Sequence, residues 1–331
     1  MSVFPCYFLG NIGMDSDYVY ELAFWHRLWS NWMDVCGKLG IKSTTDFVRR
    51  LKGGLINLEV IRSYSGLNED DIVLVRRLLE EGVRLIPIIS DAYPASLRRL
   101  NDGDIYPPLV LYCIGELRVR RCVAVVGTRF CTNWGKEVAR KFVKAISREI
   151  NDVVIVTGLA KGIDTEATKA ALDFGLKSVA VLPWLKPVYP PENKGLSEEI
   201  IKKGGVLVSE NLFKPASSSE IKRRLYLRNR IISALADAVV VIEARLHYIG
   251  NGKYSGGAMW QVEYALKRGK PVFVLEPKYK GFRMGKVWVN YRKAFEEFVR
   301  HGAVPFKEEK IDYIVKKIAN VLTGCSLSEQ K

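Results

Sequence analysis

Histidine is scarce in this chain: there are three in 331 residues, and His26, His247 and His301 lie far apart. The six cysteines (Cys6, Cys36, Cys113, Cys122, Cys131, Cys325) are scattered and include no CxxC pair. Neither residue type has metal-ligand spacing, so no metal site is expected, and no cofactor. Several cysteines fall in strand-like runs, where a reduced, buried thiol is the ordinary outcome. No uncharged apolar run is long enough to cross a bilayer, and the N-terminus has neither a basic leader nor a small-residue cleavage site. The chain therefore reads as cytoplasmic, without a membrane partner. Catalytic signatures are missing as well. There is no GxSxG elbow, no Walker A lysine motif and no histidine-centred triad. The dinucleotide fingerprint GxGxxG is absent, and no acidic residue stands at the ribose-binding place, which disfavours NAD.

What is abundant is positive charge. Lysine and arginine number 51 against 36 acidic residues, a net charge of +15. Such an excess raises association with polyanions without specifying a fold. It is also locally concentrated. Lys222-Arg-Arg-Leu-Tyr-Leu-Arg-Asn-Arg230 packs five basic residues into nine and interleaves a tyrosine.

The chain is long enough to bury a sizeable core and to form two domains. Residues 1–34 are aromatic-rich, with a helix from about Asp17 whose stripe (Tyr18, Tyr20, Phe24, Trp25, Trp29, Trp32) reads as core. Short helices follow to residue 82, one capped by Thr44 or Thr45 and one opened by Asn68-Glu-Asp-Asp71 with Ile72, Val75, Leu78 and Leu79 at helical spacing. This is the pattern of a small helix-hairpin-helix or SAM-like domain over 1–82. From Val83 the period changes, and near-continuous Val/Ile/Leu runs alternate with helices to residue 275. Such runs are expected where helices cover both faces of a parallel sheet. The fold class is therefore α/β: a doubly wound, mostly parallel Rossmann-like sheet over 83–322, closed by two helices in 290–322. A polar tail occupies 323–331. In such a fold ligands sit at the strand C-terminal ends.

Three segments carry chemistry. Gly127-Thr128-Arg129 turns from a strand into a helix, where free N–H groups and the helix dipole suit an anion and the guanidinium matches phosphate geometry. Thr157-Gly-Leu-Ala-Lys161-Gly162-Ile-Asp164 supplies close backbone approach and a mobile cation, with Asp164 expected to N-cap the next helix. The third is the basic helix. Arg224 and Arg228, four apart, share a face, Arg230 projects elsewhere, and Asn229 leads into the apolar Ile231-Ile232. Glu210, Glu243 and Glu263 lie near strand ends or a helix, where a general base could sit; no convincing catalytic set emerges.

At these residues the chain resembles the DNA-processing protein A (DprA, or Smf) family. The matching motifs are Val125-Val-Gly-Thr-Arg129, Thr157 to Asp164, Val188-Tyr-Pro-Pro-Glu-Asn193, Val208-Ser-Glu210 and Leu227-Arg-Asn-Arg-Ile-Ile232, with Asp91-Ala-Tyr-Pro94 and Pro107 to Tyr112 upstream. The resemblance runs from about residue 35 to 322. It implies a non-enzymatic protein that binds and protects single-stranded DNA and passes it to a RecA-type recombinase, working as a homodimer in DNA uptake or recombination. By motif position Arg129, Lys161, Arg228, Asn229 and Arg230 would contact phosphates. With Gly127, Thr128, Gly162 and Arg224 they make up the expected DNA-binding set. Base stacking on Tyr226 or Trp184 would add to it, if either is exposed.

The chain departs from the family pattern in three places. Pro183-Trp-Leu-Lys186 replaces a glycine-rich stretch, Thr168 stands where the family has histidine, and the chain is expected to end without a winged-helix domain. One rival remains. Gly256-Gly257-Ala-Met-Trp-Gln-Val-Glu263 is spaced like the GGxGTxxE signature of the LOG-type phosphoribohydrolases, in which Glu263 would be catalytic. Met259 and Trp260 replace the glycine and threonine that the signature needs.

Overall fold

The computed structural model describes residues 15–100, 106–118, 120–250, 253–284 and 287–324. Cys6, Cys325 and the expected polar tail from residue 325 onward lie outside them. By compactness the chain divides into Met1–Gly115 and Glu116–Lys331. The change of period at Val83 marks a different point, where helices give way to strands.

The first unit holds α1 (Ser16–Ser30), α2 (Trp32–Leu39), α3 (Thr44–Lys52), α4 (Leu58–Ser65) and α5 (Glu69–Glu80), then β1 (Val83–Pro87), the short α6 (Ala95–Arg98) and β2 (Val110–Ile114). β1 and β2 pair antiparallel, Val83 opposite Ile114. The aromatic stripe is core only in part: Phe24 and Trp25 are fully buried, Trp29 and Trp32 are half-buried, and Tyr18 and Tyr20 are exposed, while Trp25 and Trp32 each meet Phe47 in a T-shaped contact. Asn68 and Asp71 form a capping box that opens α5. On α3 the cap is Ser43, whose hydroxyl accepts from the Asp46 N–H at 3.0 Å. The hydroxyls of Thr44 and Thr45, the expected caps, instead donate to the carbonyls of Pro107 and Leu100.

The second unit alternates strands and helices: β3 (Cys122–Val126), α7 (Asn133–Glu149), β4 (Val154–Thr157), α8 (Ile163–Asp173), β5 (Lys177–Val181), α9 (Lys194–Lys202), β6 (Val206–Ser209), α10 (Ser218–Leu235) and β7 (Ala238–Val241). A hairpin of β8 (His247–Gly250) and β9 (Lys253–Ser255) precedes α11 (Gly257–Leu266) and β10 (Val272–Leu275). A second hairpin, β11 (Gly281–Met284) with β12 (Val287–Asn290), leads into α12 (Tyr291–Arg300), β13 (Val304–Phe306) and α13 (Ile311–Thr323). The strands of this unit lie in the order β6-β5-β4-β3-β7-β10-β13, all parallel. This is the doubly wound Rossmann-like arrangement. The two hairpins and β13 are not expected from the sequence pattern, which predicts only helices in 290–322.

Alternation along the strands explains the layers. Val123 and Val125 of β3 and Val240 of β7 join Val138, Phe142 and Ile146 of α7, Ala167 and Ala170 of α8, and Ile314 and Ile318 of α13 in one buried core. Truncating a side chain such as Phe142 there costs about 3–5 kcal/mol. α10 and α11 pack on each other and on β3 and β7, and contribute nothing to that core. The chain order reverses between β3 and β7. Strands added after β3 run outward on one side, and those from β7 on run outward on the other. A crevice opens at the carboxyl ends of two such neighbouring strands, where the loops diverge.

Candidate functional site

A cavity of about 280 Å³ lies at that reversal point, lined by the loops after β3, β4 and β7 and by one side each of α10 and α11. Gly127, Thr128 and Arg129 come from the first loop, Ala160 and Asp164 from the second, and Ala244 and Arg245 from the third. α10 contributes Lys222, Leu225, Tyr226, Arg228 and Asn229; α11 brings Gly256, Gly257, Ala258 and Gln261. Four of the lining residues are cationic and one, Asp164, is acidic. Gly256 caps α11 without any side-chain acceptor, so the first-turn N–H groups of that helix add partial positive charge on the same side.

A buried carboxylate builds the first loop. Glu243, 2% exposed, accepts from the backbone N–H and the hydroxyl of Thr132, each at 2.8 Å. Its own carbonyl accepts from the Thr128 N–H at 2.6 Å. Burial pushes this carboxyl up, and the bonds from Thr132 oppose the shift. Glu243 is thereby occupied in holding the turn that displays Arg129. Tyr291 donates its hydroxyl to the Phe130 carbonyl at 2.5 Å and ties the same loop to α12. Arg245 lies over the Phe130 ring, 4.6 Å from its centroid.

The second loop fits against the first because Gly162 has no side chain. Its φ is +82°, and a Cβ there would stand 2.3 Å from the Thr128 carbonyl oxygen. Asp164 is not the N-cap of α8. The cap falls two residues earlier, at Gly162, so Asp164 lies inside the first turn and is 4% exposed. Its carboxylate turns back and accepts from the N–H groups of Gly158 at 2.9 Å and Ala160 at 3.4 Å. Burial raises its pKa, against the pull of Arg228 and these backbone donors.

Arg228 is 5% exposed and fills the space that Gly158 leaves open; a Cβ on Gly158 would stand 2.8 Å from its Nη2. It donates to the carbonyls of Gly158 and, at 3.2 Å, Val181, while its buried Nε has no partner. Burial pushes Arg228 down to about 10; Asp164 opposes the shift and nearby Arg129 adds to it. It stays charged at neutral pH. Asn229 accepts from Gln261 Nε2 at 3.1 Å, which fixes α10 to α11 across the cavity floor.

The expected site residues therefore separate. Gly127, Thr128, Arg129, Arg228 and Asn229 line one space. Gly162 supports it from behind. Lys161 projects outward and donates to Glu192 at 2.5 Å, with both side chains more than half exposed. Arg224 binds Glu220 at 2.7 Å and the Phe213 carbonyl at 2.9 Å. Arg230 is held bidentately by Glu210, two bonds of 2.6 Å, with side-chain exposures of 5% and 7%. None of these three lines the cavity. Lys222 and Arg245 do, and were not in the expected set. A signal for Arg245 existed: like Arg129 it lies a few residues past the end of a central strand. Tyr226 is 43% exposed at the cavity wall, its ring 6.4 Å from that of Trp260. Trp184 is buried, its indole N–H donating to the Pro187 carbonyl, so it offers no stacking surface. Of the rival signature, Gly256 and Gly257 reach the cavity, Met259 is buried, and Glu263 is not among the lining residues.

Fold and site together define a Rossmann-like α/β protein with a cationic, anion-sized cavity at its switch point. The family is settled by comparison: residues 84–318 match the model of DNA recombination-mediator protein A, and the chain belongs to that family. The DNA processing protein DprA of Bacillus subtilis is 33% identical over 200 residues, 59% of this chain and 61% of that protein. That of Streptococcus pneumoniae is 35% identical over 191 residues, 57% and 61% respectively. The chain thus spans about three-fifths of the length of the curated relatives it matches. The X-ray structure of the Streptococcus pneumoniae protein superposes with a TM-score of 0.60 at 25% identity, covering 91% of this chain and 98% of that one. A structure of DNA processing protein A from Helicobacter pylori, described for its unique single-stranded DNA binding mode, superposes at 0.54 with 26% identity, covering 71% and 95%. Among the described residues no helix is long and apolar enough to cross a membrane, and no cluster of candidate metal ligands occurs.

Proposed function

We propose that this chain binds single-stranded DNA through the cavity at the β3/β7 switch point, holding backbone phosphates with Arg129, Arg228, Lys222 and Arg245 and offering Tyr226 to a base. The observation that carries this reading is the convergence of four cations and an uncapped helix start on one space whose lining holds a single carboxylate. Membership in a recombination-mediator family supports it, as does the likeness to a DNA processing protein studied for binding single strands. Phosphate contacts carry no sequence information, so the preference is for single strands in general. Stacking on Tyr226 adds about 1–3 kcal/mol per base. The role needs no covalent chemistry: the protein protects a strand in the cytoplasm and, as a homodimer, passes it to a RecA-type recombinase during DNA uptake or recombination. A gel-shift comparison of single- and double-stranded oligonucleotides across salt tests this directly. Preferential, salt-sensitive retention of the single strand supports the reading, and equal or absent retention of both removes it.

A further inference from the structure

A phosphodiester within a strand carries one negative charge, whereas a phosphomonoester carries about 1.5 to 2 at neutral pH because its second pKa is near 6. The cavity wall holds Arg129, Lys222, Arg228 and Arg245 against Asp164, a surplus of three positive charges in about 280 Å³. Two of these cations are held at the site by groups that do not cancel their charge. Arg228 is almost fully buried on backbone carbonyls, and Arg245 lies on the Phe130 ring. The first turn of α11 adds partial positive charge without a side-chain cap. Elsewhere on α10 the arrangement is the opposite: Arg223, Arg224 and Arg230 each have a carboxylate partner. A single diester would leave most of the surplus in the cavity uncompensated, and a volume of this size admits about one nucleotide.

We propose that the cavity prefers a phosphomonoester to a phosphodiester, capturing either the terminal phosphate of a strand or the phosphate of a free nucleoside monophosphate, with Tyr226 placed for the attached base. The inference rests on reading this cavity as the strand-binding site. It goes beyond that reading in assigning the site a preference for chain ends or free nucleotides over chain interiors.

The test uses the full chain and two pairs of probes at neutral pH. The first pair is a short oligothymidylate with a 5′-phosphate and the same strand with a 5′-hydroxyl. The second is thymidine 5′-monophosphate and its 5′-methyl ester, which differ chiefly in charge. The monoester member of a pair is expected to bind about tenfold more tightly, equivalent to about 1.4 kcal/mol. Arg245→Gln should narrow that ratio. A preference confined to the phosphorylated strand identifies chain ends as the source, and displacement of labelled strand by the free monophosphate identifies nucleotides. Equal binding within both pairs overturns the inference and leaves strand binding intact. If neither strand binds, the strand-binding reading fails, and the monophosphate against its methyl ester alone decides: preference sustains the inference, parity ends it.

Discussion

Arg228 and Arg230 stand two residues apart on α10 and are almost equally buried, at 5% and 4% exposure, yet the two sides of the helix surround them differently. On one side Glu210 grips Arg230 with two parallel bonds and cancels its charge. On the other, Arg228 rests on two backbone carbonyls, faces the cavity and shares it with Arg129. A bidentate buried ion pair is a structural element whose loss is felt in stability. A buried arginine held by backbone carbonyls is destabilised by burial and by the neighbouring Arg129, an effect that Asp164 offsets only in part. Such an arrangement is relieved when an anion arrives. Density of basic residues in the sequence therefore says little about affinity until the acidic partners are located.

The largest expected effect breaks the structural side. Arg230→Ala removes both charge-assisted bonds that buried Glu210 accepts from Arg230 and should cost about 3–5 kcal/mol in chemical denaturation. The double replacement Glu210→Leu with Arg230→Met should restore most of that and leave oligothymidylate affinity close to wild type. If the double variant folds normally but has lost strand binding, the division between the two sides is wrong. Next comes the cavity side. Arg228→Ala should weaken strand binding by about 2 kcal/mol or more, measured by fluorescence anisotropy on protein whose circular dichroism matches wild type.

A smaller effect concerns the start of α10. Glu220 accepts from both Arg223 and Arg224, and those bonds bring its carboxyl down to about 2. A depressed carboxyl stabilises the fold above the ordinary carboxylate range and loses that contribution as pH falls from about 4.5 toward 2. At a partly exposed site the effect is about 0.5–1 kcal/mol. Acid titration of stability should show it in wild type, and Glu220→Gln should flatten that part of the curve. The smallest effect is at Lys161, exposed and paired with exposed Glu192. Lys161→Ala should change stability by about 0.5 kcal/mol or less and strand affinity by less than about twofold.

The fold was legible because buried parallel strands leave continuous apolar runs such as Cys122-Val-Ala-Val-Val126, with amphipathic stretches between them. The missed elements leave no such mark. β13 is three residues with a proline at its centre and two exposed positions, and the hairpin of Gly281-Phe-Arg-Met284 with Val287-Trp-Val-Asn290 is short and mixed in polarity. At the site, the glycine turn with Arg129 and the basic helix were readable as local features. The division of the arginines was not, because it depends on Glu210, which arrives from the end of β6, and on how far round the helix each side chain lies. The expected cap lies two residues from the real one: with Gly162 as the cap, the Asp164 carboxylate inside the first turn meets the preceding loop rather than its own helix end.

The central claim is that phosphates settle among the cations at the switch point, and Arg129 tests it most directly because it lines the cavity without the burial of Arg228. Oligothymidylate affinity should be measured against salt concentration for wild type and Arg129→Ala. The account predicts weaker binding and a log–log salt dependence shallower by about 0.7, the loss of one neutralised phosphate. An unchanged affinity together with an unchanged slope would contradict it.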